Sequence, residues 1–316
     1  MKTGNSTFSD PRVLLAYVTV CIVWGSTYLA IRVGVRDLPP ALFAGFRFVV
    51  AGLVLLFFAR IRGYKMPANR RDIVNSAIVG LFLLYGGNGL VVWSEQWLAS
   101  GLAALLIATV PLFVALIDTI VPGGTPIGWL GWVGLLTGFS GVALLLAPGF
   151  ELGGNQLSGM AGLIMAAFLW ALGSVFSARR PVGGSIIYAI AVQALAGGIA
   201  LSATGLFAGE LSRFHPTAAG IGAMLYLIFI GTMAGYSAYI YILKAMPPAK
   251  ASTYAYINPV VAVLLGYLIL KEEITVRTII SAAVILGGVL LVQVSRTKVP
   301  VKPLHSEKLA AVSKGT

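Results

Sequence analysis

Ten apolar runs fill most of this chain: 13–35, 40–59, 73–93, 98–121, 127–147, 158–178, 184–208, 217–243, 249–270 and 276–294. A hydrocarbon core about 30 Å thick is crossed by about 20 apolar residues in a helix. Inside it every backbone N–H and C=O must find a partner within the chain, which helices provide. The runs therefore predict an all-α membrane protein with ten transmembrane helices. Composition agrees: 58% of residues are hydrophobic and 10% are charged, against about 25% charged in soluble domains.

The links are short and carry turn chemistry, as at Pro39-Pro40, Pro122-Gly123-Gly124, Gly153-Gly154-Asn155, Gly183-Gly184 and Pro247-Pro248. None could hold a soluble domain. The first run, Val13 to Val35, is too long for a signal-peptide core and lacks a clear small-residue cleavage site, so it reads as a retained span. A single cysteine, Cys21, excludes an intrachain disulfide. His215 and His305 fall outside the runs, so neither a histidine metal site nor a cofactor is expected. Residues 295–316 form a polar, basic tail, expected to be cytoplasmic and disordered.

Net charge is +12, and its placement rules out a nucleic-acid reading. With a cytoplasmic N-terminus, sixteen Lys and Arg residues fall inside, among them Arg60, Arg62, Lys65, Arg70 and Arg71. Five fall outside: Arg32, Arg36, Arg213, Lys271 and Arg277, with Arg47 left within a span. The positive-inside rule puts both termini in the cytoplasm.

The chain also repeats itself. Trp24 and Arg47 match Trp170 and Gln193 at an offset of 146, Gly87 and Pro111 match Gly235 and Pro259 at 148, and Gly141-Val142 matches Gly288-Val289 at 147. Residues 12–148 and 157–294 are thus two five-helix units. An odd number of spans per unit forces opposite orientations, giving two inverted five-helix repeats. Inverted repeats with interrupted helices are a transporter architecture, with the substrate near the midplane between the halves.

Proline lacks an N–H and crowds the carbonyl four residues back. Pro111 and Pro259 therefore free the carbonyls of Ile107 and Ala255 and are the expected hinges. At 100° per residue, Tyr85, Asn88, Gly89, Val92, Glu95 and Gln96 share one face of the third span. That polar stripe reads as a cavity wall, against the plainer reading of hydrogen bonding between helices. Glu95 is its best carboxylate for a proton or an amine. The eighth span puts Thr232, Gly235, Tyr236 and Tyr239 together. On the ninth, Ser252, Tyr256 and Pro259 oppose Tyr254 and Asn258, and the sequence leaves open which face meets the cavity. Trp24, Thr27 and Tyr28 gather on the first span. Arg47 in the second is expected to be functional or paired, unless it snorkels to one end. Asp118 near the end of the fourth span reads as interfacial. Gly131, Gly134, Gly138 and Gly141 on the fifth span, with Gly287-Gly288 on the tenth, form small faces for close helix packing, which could also join two copies.

These residues resemble the EamA-type permeases of the drug/metabolite transporter superfamily. The resemblance is carried by Trp24-Gly25-Ser26-Thr27-Tyr28, Arg47-Phe48, Gly87-Asn88-Gly89, Glu95-Gln96, Ser100-Gly101-Leu102, Ala108-Thr109-Val110-Pro111 and the Ser252 to Gly266 run. It covers about residues 12 to 294 and points to a bacterial inner-membrane branch. It implies ten helices in two inverted repeats and a central cavity from the third, fourth, eighth and ninth helices, including Tyr85, Asn88, Pro111, Tyr236, Tyr256 and Pro259. It also implies export of amino acids, metabolites or drugs. Lys271-Glu272-Glu273 stands where the family ends its ninth helix with glycine-glutamate, leaving open which glutamate matches. The expected partners are a small-molecule substrate and the bilayer. The alternative is a multispan enzyme acting on lipid-linked substrates, which needs converging acids, bases or metal ligands; buried carboxylates and histidines are nearly lacking.

Overall fold

The computed structural model describes residues 10–67, 69–124, 126–146, 154–180, 182–245 and 253–297. The basic tail beyond Thr297, Ser252 and the side chain of Tyr236 lie outside the described residues. Every long element is a helix. α1 is Pro11–Asp37, α2 Pro40–Ile61, α3 Arg70–Ser94, α4 Ser100–Ile120 and α5 Trp129–Leu146. α6 is Gly154–Arg179 and α7 Ile186–Phe207. α8 runs through Ala218–Leu225, Tyr226–Ala234 and Gly235–Ala245. α9 is Tyr254–Leu270 and α10 Val276–Thr297. Among the described residues nine helices are long and apolar enough to cross a membrane, and α9 is the shorter tenth.

The helix starts follow from local chemistry. Asp10 caps α1 by accepting from the Arg12 N–H at 2.9 Å, with Pro11 in the first turn. Ser185 and Thr217 cap α7 and α8 in the same way. Glu210, from a 3₁₀ turn, reaches back to the Leu42 N–H at 2.9 Å at the head of α2.

Packing follows the repeat. α2 lies against α7 and α5 against α10. α1 packs on α8 and α9, and α6 packs correspondingly on α3 and α4. Exchanging each helix with the one five places on reproduces the arrangement. Small residues set how closely these pairs approach. A Cβ on Gly288 would stand 2.3 Å from the Gly138 backbone nitrogen, and one on Gly134 would stand 2.7 Å from the Gly288 carbonyl oxygen. Gly134, Gly138 and Gly141 of α5 and Gly288 of α10 are therefore taken up by packing within one chain, while Gly287 has open space beside it.

The structure adds interruptions that periodicity did not indicate. Leu81–Asn88 in α3 and Tyr226–Ala234 in α8 are π-helical. Shifted by the repeat offset, the two stretches overlap. Thr232 shows the spacing, its hydroxyl donating to the Leu227 carbonyl five residues back at 2.9 Å.

Lys271 ends α9 in the left-handed region, at φ 57°. That is the position glycine usually holds at a helix end, so Lys271 occupies the place of the glycine and Glu272 that of the glutamate. Lys271→Gly is expected to stabilise the fold by about 1 kcal/mol through relief of this strain. A rise of about 2 °C in the unfolding midpoint in detergent checks it. An unchanged or lower midpoint would mean that the lysine carries no strain.

Candidate functional site

The candidate residues fall into three clusters rather than one. The first is aromatic. Trp24 on α1 packs at a tilt against Tyr239 of α8 and edge-to-face against Tyr254 of α9, with centroids 5.1 and 4.9 Å away. Its indole N–H donates to the Gly231 carbonyl at 3.2 Å, inside the π-helical stretch. The ring also rests on Gly235, where a Cβ would fall 2.6 Å from the indole nitrogen. Trp170, its repeat mate on α6, rests in the same way on Gly87 of α3. Two residues later on α1, the hydroxyls of Ser26 and Tyr226 meet at 2.6 Å.

The second cluster is charged and sits at the end of the bundle away from the termini, called here the far end. Arg47 is 3% exposed, so it does not snorkel. Its guanidinium donates to Asn88 Oδ1 and lies 4.3 Å from the Phe48 ring centroid, while Nε has no partner. Pairing is thus one of its roles. Glu95, just past the end of α3, is 0% exposed, and neither carboxylate oxygen receives a hydrogen bond. Arg32, placed outside the membrane by the sequence reading, lies within α1 and donates instead to the main-chain carbonyl of Glu95.

The third cluster joins the two proline helices. The Glu272 carboxylate accepts from the Ser100 N–H at 2.9 Å, the Ser100 hydroxyl at 2.9 Å and the Gly101 N–H at 3.3 Å. A carboxylate from one repeat thereby caps a helix of the other, where the first turn leaves N–H groups free and favours negative charge. Alongside, Gly101 lets α4 approach Val263 of α9, where a Cβ would lie 3.0 Å from the Val263 Cα. A cavity of about 190 Å³ opens here at the far end, lined by Trp97, Gln156, Glu272, Glu273, Thr275 and Thr278 among others.

Past the prolines the two helices take different partners. On α4, Val110, Phe113 and Val114 pack against Ala171 and Val175 of α6. On α9, the Asn258 amide, oriented with its nitrogen toward α1, donates to the Tyr254 carbonyl at 3.1 Å and the Cys21 carbonyl at 3.2 Å. The Tyr17 and Thr253 hydroxyls meet at 2.7 Å. The helices thus meet toward the far end and diverge toward the end that carries the termini. Pro111 stands in the first turn of Val110–Ile120, just after a break in α4, whereas Pro259 lies inside a continuous α9.

The structure therefore joins Trp24 with Tyr239 and Arg47 with Asn88, and sets Asn258 against α1. Tyr85 accepts from the Thr204 hydroxyl of α7 at 3.3 Å, away from Asn88's partner on α2. The π-helical stretch changes the residues per turn between them, so a face drawn at 100° per residue turns out of phase. Tyr256 packs against the main core. Asp118 is ion-paired with Arg179 of α6 at 2.8 Å. Sequence reasoning missed Arg32 and the reach of Glu272; the glycine-glutamate resemblance was the one signal that pointed at the latter. Among the described residues no group of three or more His, Cys, Asp or Glu could hold a metal.

The EamA-like transporter family matches residues 11–147 and again 157–294. The uncharacterised inner membrane transporter YedA of Escherichia coli (strain K12) is 38% identical over 292 residues, covering 92% of this chain and 93% of its own. The uncharacterised transporter YoaV of Bacillus subtilis (strain 168) is 25% identical over 281 residues, covering 89% and 96%. A WAT1-related chloroplastic protein of Arabidopsis thaliana is 27% identical over 302 residues, covering 92% and 71%. One solved crystal structure superposes with a TM-score of 0.60 at 20% identity, over 91% of this chain and 99% of that one, a likeness of fold.

Proposed function

This chain belongs to the EamA-like transporter family, and we propose that it exports small metabolites, such as amino acids or drugs, by alternating access. The path is the cleft between α1, α8 and α9 on one side and α3, α4 and α6 on the other. The observation that carries this reading is the matched interruption of both halves. π-helical stretches fall at corresponding places in α3 and α8, and prolines at corresponding places in α4 and α9. Irregular backbone at membrane depth is tolerated where it is buried in protein or lines a cavity, and paired irregularities in inverted repeats mark the site.

In this conformation Glu272 and Arg32 hold the far end together. The divergence of α4 and α9 supports entry from the end that carries the termini. We place that end in the cytoplasm and the protein in a bacterial inner membrane, from the sixteen-to-five Lys and Arg bias and the inner-membrane relative. Trp24, Asn88, Pro111, Tyr236, Tyr239 and Tyr256 are the residues proposed to meet substrate as the cleft opens and closes.

Two measurements test this. Reporter fusions at Thr316 and at Gly154, the first residue of α6, should give opposite signals; the same signal from both would remove the orientation. Proteoliposomes loaded with a panel of amino acids and drugs should show efflux of at least one class, dependent on the protein and saturable. Absence of flux across the panel, with correctly folded protein, would count against the substrate classes named.

A further inference from the structure

One buried titratable group is left unused by the scheme above. Glu95 is fully enclosed, and both carboxylate oxygens lack a donor. Four charged or titratable side chains face it: Tyr28 and Arg32 from α1, Arg47 from α2 and Glu272 from the link after α9. The two guanidiniums have other acceptors, the main-chain carbonyl of Glu95 for Arg32 and the Asn88 amide for Arg47. Glu272 adds negative charge, itself tied to Ser100 and Gly101. From α6, which packs on the end of α3, residues 154–165 bring no charge at all.

We propose that Glu95 is a proton-binding site linked to the far-end gate, holding a proton while that end is closed and releasing it when the end opens. A carboxylate sealed from water without hydrogen bonds is held far more cheaply neutral than ionised. Opening the far end must break Arg32's hold on the Glu95 carbonyl and draw the end of α3 away from α1. Water then reaches the carboxyl group, the ionised form becomes favourable, and Arg32 and Arg47 are at hand to pair with it. The step is an acid–base transfer: the O–H bond of Glu95 breaks and the proton passes to solvent. Closing reverses it and takes one proton from the solution on that side. A ligand larger than a proton has no route to the carboxylate in the closed form, because nothing of it is exposed. The closed form binds the proton more tightly than the open form, so low pH favours closure and high pH favours opening.

The proposal rests on the gated reading above, and its test needs no substrate. Leu98, three residues after Glu95, is 3% exposed and lines the far-end cavity. In a Cys21→Ser background, Leu98→Cys is labelled with a membrane-impermeant maleimide between pH 5.5 and 8.5. Rates are divided by those of an exposed control, Gly154→Cys, to remove the thiol's own titration. The normalised rate should rise about tenfold toward high pH. Adding Glu95→Gln, which keeps the shape and stays neutral, should hold it slow and flat, and Glu95→Asp should restore the slope. A flat profile in the Glu95-containing protein overturns the proposal by itself, whether or not the glutamine variant accumulates. So does a slope that survives Glu95→Gln. Absent flux in the proteoliposomes, with this slope intact, would fail the transport reading and leave the proton site standing.

Discussion

Glu272→Ala is expected to shift the gate toward far-end opening, raising maleimide labelling of Leu98→Cys more than tenfold at neutral pH. The carboxylate receives three hydrogen bonds from the first turn of α4, across 171 to 172 positions of sequence. Bonds to a charged acceptor contribute about 1.5–3 kcal/mol each at most, and they share one group here. A loss of about 2 kcal/mol for the set is enough to change the closed-to-open ratio by about thirtyfold. Shifted by 148, Glu272 falls on Gly124 and Ser100 on Pro248, so the other end of the bundle has neither the carboxylate nor the hydroxyl. The latch is one-sided, and removing it changes the balance between states instead of loosening both ends equally. Glu272→Gln keeps one acceptor oxygen and should give a smaller rise. Glu273→Ala should give none, since Glu273 is exposed beside the cavity. Unchanged labelling in Glu272→Ala would reduce the contact to an ordinary helix cap.

What the sequence could tell was set by the membrane. Lipid demands long apolar helices with paired backbones, so the ten spans and the two repeats are legible from runs and offsets. The glycines of the fifth and tenth spans were legible as close-packing faces, and the structure sets α5 against α10 through Gly134, Gly138 and Gly288. The candidate site was less legible. The polar stripe of the third span was drawn with a constant helical phase, and the π-helical stretch Leu81–Asn88 breaks it, turning Tyr85 to α7 and Asn88 to α2. Lys271 concealed the glycine of the glycine-glutamate pair, because only the backbone shows that it sits at φ 57°. Arg32 looked external from its place near the end of a run, whereas its long side chain reaches inward to the end of α3. On the ninth span both faces are in use: Tyr254 and Asn258 turn to α1 and α8, while Tyr256 packs into the core.

Alanine at either proline is expected to slow transport about tenfold while leaving expression largely intact, and the two variants should shift the gate in opposite directions. The two helices are unequal in this conformation. α4 is interrupted at Ala108 and Thr109, with ψ of −10° and −8°, and resumes at Val110 with Pro111 in its first turn. Thr109 bonds to the Leu106 carbonyl through both its N–H, at 3.2 Å, and its hydroxyl, at 2.6 Å. α9 instead runs through Pro259 without a break. In an inverted repeat, the opposite state is reached when each half takes the other's shape. The far-open state then has α4 continuous through Pro111 and α9 broken before Pro259. A proline inside a helix disfavours it by up to about 3 kcal/mol relative to alanine, so each substitution favours the continuous form of its own helix. Pro111→Ala should straighten α4 and favour far-end opening. Pro259→Ala should strengthen α9 as it stands and hold the far end closed. Even half of that difference, about 1.4 kcal/mol in the barrier, is a tenfold change in rate. The loss should fall on the conformational step, so substrate affinity changes less than turnover. Labelling of Leu98→Cys should rise in Pro111→Ala and fall in Pro259→Ala. If both variants transport at the unaltered rate with unaltered labelling, the prolines serve packing alone and the hinges lie elsewhere, with the π-helical stretches of α3 and α8 the next place to look.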